Sequence, residues 1–170
     1  MKILVTGGTG FTGKALVKRL LDEGHRVTAL DYKEGIKTEE LRQWGAEVEI
    51  GSVTDRGVVD RVMKDTEIVH HLAAAFRELD VADSYYHDVN VGGTRNVLAA
   101  AEREGVRKFV YCSTCGVHGN VAHPPADENA PIAAADYYQR TKYEAEPVVL
   151  EYSERGMKTV IFRPAAIYGP

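Results

Sequence analysis

The feature that most constrains this chain is a run of glycines directly behind its first apolar segment. Lys2–Thr6 is a short β-branched run, and Gly7-Gly8-Thr9-Gly10-Phe11-Thr12-Gly13 follows it at once. A helical pattern then begins, with Leu16, Val17, Leu20 and Leu21 on one face and a stop at Gly24. A strand that turns immediately into a helix needs unusual φ at the turn and close packing of helix on strand, and glycine meets both demands. The spacings Gly8-x-Gly10-x-x-Gly13 and Gly7-x-x-Gly10-x-x-Gly13 both occur. Such a turn lets backbone approach a pyrophosphate, and the helix behind it offers free N–H groups and the positive end of its dipole.

The same grammar of short apolar strand and amphipathic helix recurs along the chain. Strands are expected over 2–6, 26–30, 47–50, 68–72, 108–112 and 158–162, and helices over 13–23, 84–104 and 135–155, each helix stopping at a glycine. The proline-containing stretch 116–135 reads as a long loop. The strands are mostly apolar throughout, as when helices cover both faces of a sheet. The expectation is an α/β fold: a Rossmann-type, doubly wound parallel sheet of six strands. A length of 170 residues suits one dinucleotide-binding domain over 1–170.

Net charge is −4 with both signs spread along the chain, so no basic stripe points to nucleic acid. The first residues lead into glycines and not into a long apolar run, so neither leader nor membrane span is expected, and the cytoplasm is the default compartment. Cys112 and Cys115 read as two reduced thiols at a strand end, since a zinc site would need more ligands than nearby His118. His70 and His71 lack acidic or thiol neighbours at ligand spacing, so no metal is expected. Trp44, between Leu41 and Val48, reads as packing.

A second check on the glycine turn is an acid at the end of the second strand. Asp31 stands there, 18 residues after Gly13. A carboxylate in that place accepts hydrogen bonds from ribose hydroxyls and repels a 2′-phosphate, which favours NAD over NADP; Lys33, close by, keeps NADP as the lesser alternative.

Tyr138 and Lys142 are four residues apart on an expected helix and so project from one face. A phenol is a poor base at neutral pH, but a neighbouring ammonium stabilises the phenolate. Such a phenolate can take a proton from a secondary alcohol. Ser113-Thr114 supplies hydroxyls at the C-terminal end of the fifth strand, where ligands bind in open α/β sheets. Tyr137 competes with Tyr138, but its partner four residues on is Thr141, which brings no charge.

These motifs, in this order, resemble the N-terminal part of the extended short-chain dehydrogenase/reductases, the NAD-dependent epimerase/dehydratase family. The resemblance runs from Lys2 to Pro170. It takes in the glycine turn, Asp31, Val53-Thr54-Asp55, His71-Leu72-Ala73-Ala74, Asn90 to Thr94, Val117-His118-Gly119, Glu146, and Arg163-Pro164 with Ile167-Tyr168-Gly169-Pro170. It implies Thr114 as the catalytic hydroxyl, Tyr138 as base, and Lys142 as its helper and ribose ligand. Phe11 and Thr12 would give amides to the pyrophosphate beside Gly7, Gly10 and Gly13. Ser52 and Val53 would lie against the adenine, and Tyr32 would join Asp31 in the cofactor set. Leu72, Ala73 and Ala74 would line the dinucleotide, Asn90 would brace the loop after strand four, and Ser113, Pro164 and Ile167 would complete the cofactor set.

Three positions depart from the family pattern: Ser52 replaces an aspartate, His118 replaces a tyrosine, and Pro147 falls inside the expected catalytic helix, where it removes a backbone bond. Family members are longer, and the substrate-binding C-terminal part is expected to be missing from these residues. The resemblance implies redox chemistry on a small-molecule secondary alcohol or ketone. The loop Asp127-Glu128-Asn129-Ala130-Pro131 leans toward nucleotide-sugar epimerases and dehydratases. A hydroxysteroid- or flavonol-type dehydrogenase, or a dinucleotide sensor without turnover, are the alternatives. Relatives commonly pair through helices corresponding to 84–104 and 135–155, so a homodimer is expected.

Overall fold

The computed structural model describes residues 1–78 and 80–169; Pro170, the last residue of the resemblance, lies outside the described residues. Six strands form one sheet: β1 (Lys2–Thr6), β2 (Arg26–Asp31), β3 (Glu47–Ile50), β4 (Ile68–His71), β5 (Lys108–Cys112) and β6 (Thr159–Phe162). Their order is β3-β2-β1-β4-β5-β6, and every pairing is parallel. The chain steps outward through β2 and β3, then returns to the other side of β1 with β4. The C-terminal ends of β1 and β4 therefore diverge into loops at a switch point, where open α/β sheets bind ligands.

Alternation along each strand divides the core. Ile3, Val5, Val27 and Ala29 face α1 (Phe11–Asp22) and α2 (Ile36–Gln43). Leu4, Leu30, Val69, Phe109 and Tyr111 face the other side, where α3 (Arg56–Met63) packs with the later helices. The helix expected over 84–104 is built in three consecutive pieces: α4 (Asp83–His87), a π-helical turn Asp88–Gly93, and α5 (Thr94–Arg103). A 3-10 turn, Cys115–His118, follows β5. The last helix, α6 (Tyr137–Glu154), runs on past Pro147, so that residue does not end it. As expected, α1, α5 and α6 each stop ahead of a glycine with positive φ: Gly24, Gly105 and Gly156.

Two expectations need correction. α1 begins at Phe11, two residues before the expected start at Gly13, because Gly10 already serves as its N-cap. The covering of the sheet is also uneven. β1 and β2 are buried through most of their length, whereas on β5 Phe109 and Tyr111 are buried but Val110 and Cys112 only half so, and Val160 on β6 is exposed. On their face α1 and α2 pack chiefly against β1, β2 and β3.

Among the described residues, no helix is long and apolar enough to cross a membrane.

Candidate functional site

The glycine turn is set by close approaches. Gly7 takes φ +70° and donates its N–H to Leu30 O at 2.8 Å; a Cβ there would lie 2.8 Å from the Ala73 nitrogen. A Cβ on Gly13 would lie 2.0 Å from Gly7 O. The turn is thus wedged between the exit of β4 and the start of α1, with no room for a side chain at either position. α1 has no side-chain cap, so the amides of its first turn, Phe11 to Gly13, are available to an anion.

Asp31 ends β2 and is buried. Its Oδ2 accepts the Thr9 N–H at 2.9 Å and the Thr9 hydroxyl at 2.6 Å, and its Oδ1 accepts the Tyr32 N–H at 2.8 Å. A carboxylate has about four acceptor sites, so about half of its capacity holds the glycine turn in shape. Sequence reasoning assigned Asp31 only to a ribose and missed this second use.

A cleft of about 620 Å³ opens beside the turn. Gly7, Gly10, Asp31, Tyr32, Ser52 and Val53 line one side of it, and Leu72, Ala73 and Ala74 the other. Lys33, Lys37, Glu78 and Tyr85 also line it; apart from Lys33, the sequence carried no signal for them. Nine expected cofactor residues do not line this cleft: Phe11, Thr12, Gly13, Asn90, Ser113, Tyr138, Lys142, Pro164 and Ile167. Phe11 and Thr12 sit in the first turn of α1. Asn90 is fully buried: its Oδ1 accepts the Ala75 N–H at 2.8 Å and its Nδ2 donates to Thr141 Oγ1 at 2.9 Å, which braces the loop after β4 against α6. Pro164 accepts the Cys115 N–H at 3.0 Å through its carbonyl, and Ile167 is exposed on the segment that passes Phe11. Ser113 also lies outside, because its hydroxyl donates to Glu146 Oε1 at 2.5 Å.

The catalytic candidates stand at the C-terminal end of β5 and on α6. Asp136 caps α6 by accepting the Gln139 N–H at 2.7 Å, which sets Tyr138 and Lys142 in its first two turns. The Tyr138 ring packs edge-on against Phe76 at 4.8 Å, and burial, then Cys112 and Asp136, push its phenol up to about 12. The lowering expected from Lys142 is not found: burial, Cys112 and Asp136 all act in the raising direction. Lys142 is buried with Nζ 4.3 Å from the Tyr111 ring centroid; burial brings its ammonium down to about 8, against the opposing pull of Cys112 and Glu146. Thr114 Oγ1 accepts the Gly116 N–H at 3.1 Å, which leaves its own proton to give. Of the two hydroxyls, Ser113 is committed to Glu146 and Thr114 is the one able to donate.

Two buried networks support these residues. Arg163 grips Glu146 with both arms, Nε to Oε1 at 2.9 Å and Nη2 to Oε2 at 2.6 Å. Its Nη1 reaches His118 Nε2 at 2.9 Å, so that ring nitrogen accepts and Nδ1 donates to Ala130 O at 3.0 Å. The histidine at the departing position thereby ties the 116–135 loop to the β5 and β6 ends. In the second network His71 is fully buried. The Thr94 hydroxyl donates to Asn90 O at 2.6 Å, so it accepts from His71 Nε2–H at 2.9 Å; His71 Nδ1 then accepts from Thr6 at 2.7 Å. Burial, then the charge of Lys142, holds His71 down to about 3, so it is neutral. Cys112 and Cys115 are free thiols, with Cys112 pushed up by burial. Trp44 packs beneath Lys14 and Lys18 at the α1–α2 core.

The model of the NAD dependent epimerase/dehydratase family matches residues 3–170. Over 98% of its length the chain is 34% identical to N-acetyl-alpha-D-glucosaminyl-diphospho-ditrans,octacis-undecaprenol 4-epimerase of Escherichia coli O157:H7, covering 49% of that protein. It is 36% identical to 3 beta-hydroxysteroid dehydrogenase/Delta 5→4-isomerase of Mycobacterium tuberculosis, over 99% of the chain and 47% of the relative. Among solved structures, UDP-glucuronic acid 4-epimerase of Bacillus cereus in complex with NAD superposes with a TM-score of 0.89 at 26% identity, over 100% of this chain and 58% of that one. The chain spans about half the length of the curated relatives it matches. Fold, glycine turn and family match agree: the chain belongs to the NAD dependent epimerase/dehydratase family.

Proposed function

We propose that residues 1–170 form a dinucleotide-binding domain whose cleft holds NAD. Its enzyme would then oxidise and reduce a secondary alcohol or ketone on a nucleotide sugar. The observation that carries this reading is one shared sheet edge: an uncapped helix N-terminus, a wedged glycine turn and a buried Asp31 sit at the ends of β1 and β2, Thr114 follows β5, and Tyr138 on α6 packs on Phe76, next to the cleft-lining Ala75. The donors and the cleft fit the group. Amides of Phe11, Thr12 and Gly13 suit a pyrophosphate, Asp31 and Tyr32 suit a ribose, and the Val53 and Leu72 to Ala74 walls suit flat rings. When bound, NAD supplies a reversible two-electron acceptor.

The chain's own residues handle the proton. Thr114 donates a hydrogen bond to the substrate oxygen and orients it. Tyr138 takes the hydroxyl proton as the carbonyl forms and returns it in the reverse direction. With a phenol pushed up to about 12, Tyr138 needs a nearby positive charge, and Lys142, at about 8, is still mostly ammonium at neutral pH. Ser113, Glu146 and Arg163 act through Thr114 by holding the end of β5.

The nucleotide-sugar reading draws on the loop Asp127 to Pro131 and on relatives that are sugar epimerases. A hydroxysteroid substrate is the second reading, favoured by the 36% identity to the mycobacterial dehydrogenase. NADH titration of the full-length protein by fluorescence tests the cofactor. Assay against UDP-sugars and hydroxysteroids, following absorbance of reduced cofactor, tests the substrate. Turnover of steroids alone would overturn the sugar reading, and tight binding without any turnover would favour a sensor.

A further inference from the structure

We propose that Tyr32 and Glu78 form a clasp across the mouth of the cleft that retains the dinucleotide, an inference that rests on reading this cleft as the NAD site. The two residues come from opposite rims. Tyr32 follows β2 and Glu78 lies in the loop after β4, and both line the cleft. The Tyr32 hydroxyl donates to Glu78 Oε1 at 3.0 Å.

Each end of this bond is anchored. The Glu78 N–H donates to the Tyr86 hydroxyl at 3.0 Å, and that hydroxyl donates back to the Glu78 carbonyl at 3.2 Å, so α4 holds the Glu78 rim. On the facing rim the Tyr32 N–H is held by Asp31 at 2.8 Å, and Lys33 Nζ lies 4.8 Å from the Tyr32 ring centroid. Arg77, next to Glu78, takes φ +52°, a conformation that costs energy outside glycine and persists where surrounding contacts dictate the path. Phe76, one residue earlier, is the side chain packed on Tyr138. The segment that carries Glu78 is thus fixed at Tyr138, Tyr86 and Tyr32, and opening the mouth requires the Tyr32–Glu78 bond to break.

A single hydrogen bond to a charged acceptor at an exposed site changes a dissociation rate by about three- to tenfold. The test is a chase: full-length protein loaded with NADH is mixed with excess NAD, and loss of bound-NADH fluorescence gives the dissociation rate. Tyr32→Phe and Glu78→Ala should each dissociate about three- to tenfold faster than the unsubstituted protein. The double variant should be no faster than the faster single one, because both remove the same bond. Glu78→Gln keeps an acceptor oxygen and should release NADH at close to the unsubstituted rate, which separates loss of the bond from loss of fold. Single variants with the unsubstituted rate, or a double variant whose acceleration is the product of the two, would overturn the clasp. Absence of NADH binding by the unsubstituted protein, seen in the loading step, would overturn the cleft assignment and the clasp with it.

Discussion

The ammonium of Lys142 lies 4.3 Å from the ring centroid of Tyr111, whose hydroxyl donates to the Lys142 carbonyl at 3.1 Å. A cation is thus held in the core by an aromatic face and by its helix, with little water. Burial disfavours the charged form, so the folded chain binds this proton less tightly than the unfolded chain does. Its destabilising effect is full below pH 8 and is relieved as pH rises from about 8 toward the ordinary lysine value near 10.5. Lys142→Met should therefore raise stability at pH 7 by about 1–3 kcal/mol, with the gain shrinking as pH rises from about 8 toward 10.5. The same variant should lose about a hundred- to ten-thousand-fold in turnover. Urea melts across pH and steady-state kinetics check the two halves separately.

His71 titrates with the same sign in a different window. It is fully buried, neutral and held down to about 3, while an unfolded histidine titrates near 6.5. The unfolded chain takes up this proton first, so stability is intact above about pH 6.5 and falls between there and pH 3, by on the order of 4 kcal/mol. His71→Asn should start less stable at neutral pH, having lost bonds to Thr6 and Thr94, yet show a flatter decline with acid. Equal slopes for both proteins in denaturant melts from pH 7 to 4 would remove His71 from the account.

Gly13→Ala tests the wedge at the turn. Its Cβ would meet a backbone oxygen at 2.0 Å, and no flexible group can yield there. The expected result is a loss of about 2 kcal/mol or more in stability, together with NADH affinity weakened at least tenfold. Calorimetry and thermal melts on the same preparation check both.

The Arg163–Glu146 pair is bidentate, with Glu146 buried and Arg163 half-buried, so removing Arg163 strands the Glu146 charge. Arg163→Met should cost about 1–3 kcal/mol, Glu146→Leu less, and the double variant less than the two together. Because Ser113 and His118 hang on the pair, NADH binding should survive while turnover falls. A double-mutant cycle in urea, run beside NADH titrations, measures the coupling.

Much of this architecture could be read in advance because its signals are local. The glycine turn, the six apolar runs and the glycine stops at Gly24, Gly105 and Gly156 each follow from a few adjacent residues. The 138/142 pairing follows from helical period alone. α2 escaped because Ile36–Gln43 is almost wholly polar, with only Thr38 and Leu41 buried, so no apolar stripe marks it. α3 could have been found, since Asp55 caps it by accepting the Gly57 and Val58 amides ahead of an apolar run. The π-helical turn at Asp88–Gly93 has no periodic signature, yet it carries Asn90 inward to Ala75 and Thr141. The Ser113–Glu146–Arg163–His118 chain joins three segments far apart in sequence, 113–118, α6 and the end of β6, and only the fold brings them together.

Asp31 has one consequence for how cofactor preference can change over evolution or by design. The carboxylate we assign to the ribose also holds Thr9 by two hydrogen bonds and so shapes the glycine turn. Exchanging it for a neutral residue to admit a phosphorylated ribose would loosen the pyrophosphate cradle in the same step. Preference and affinity are therefore linked at one position. A path from NAD to NADP has to rebuild the turn first, with a new partner for Thr9, before Asp31 can be given up.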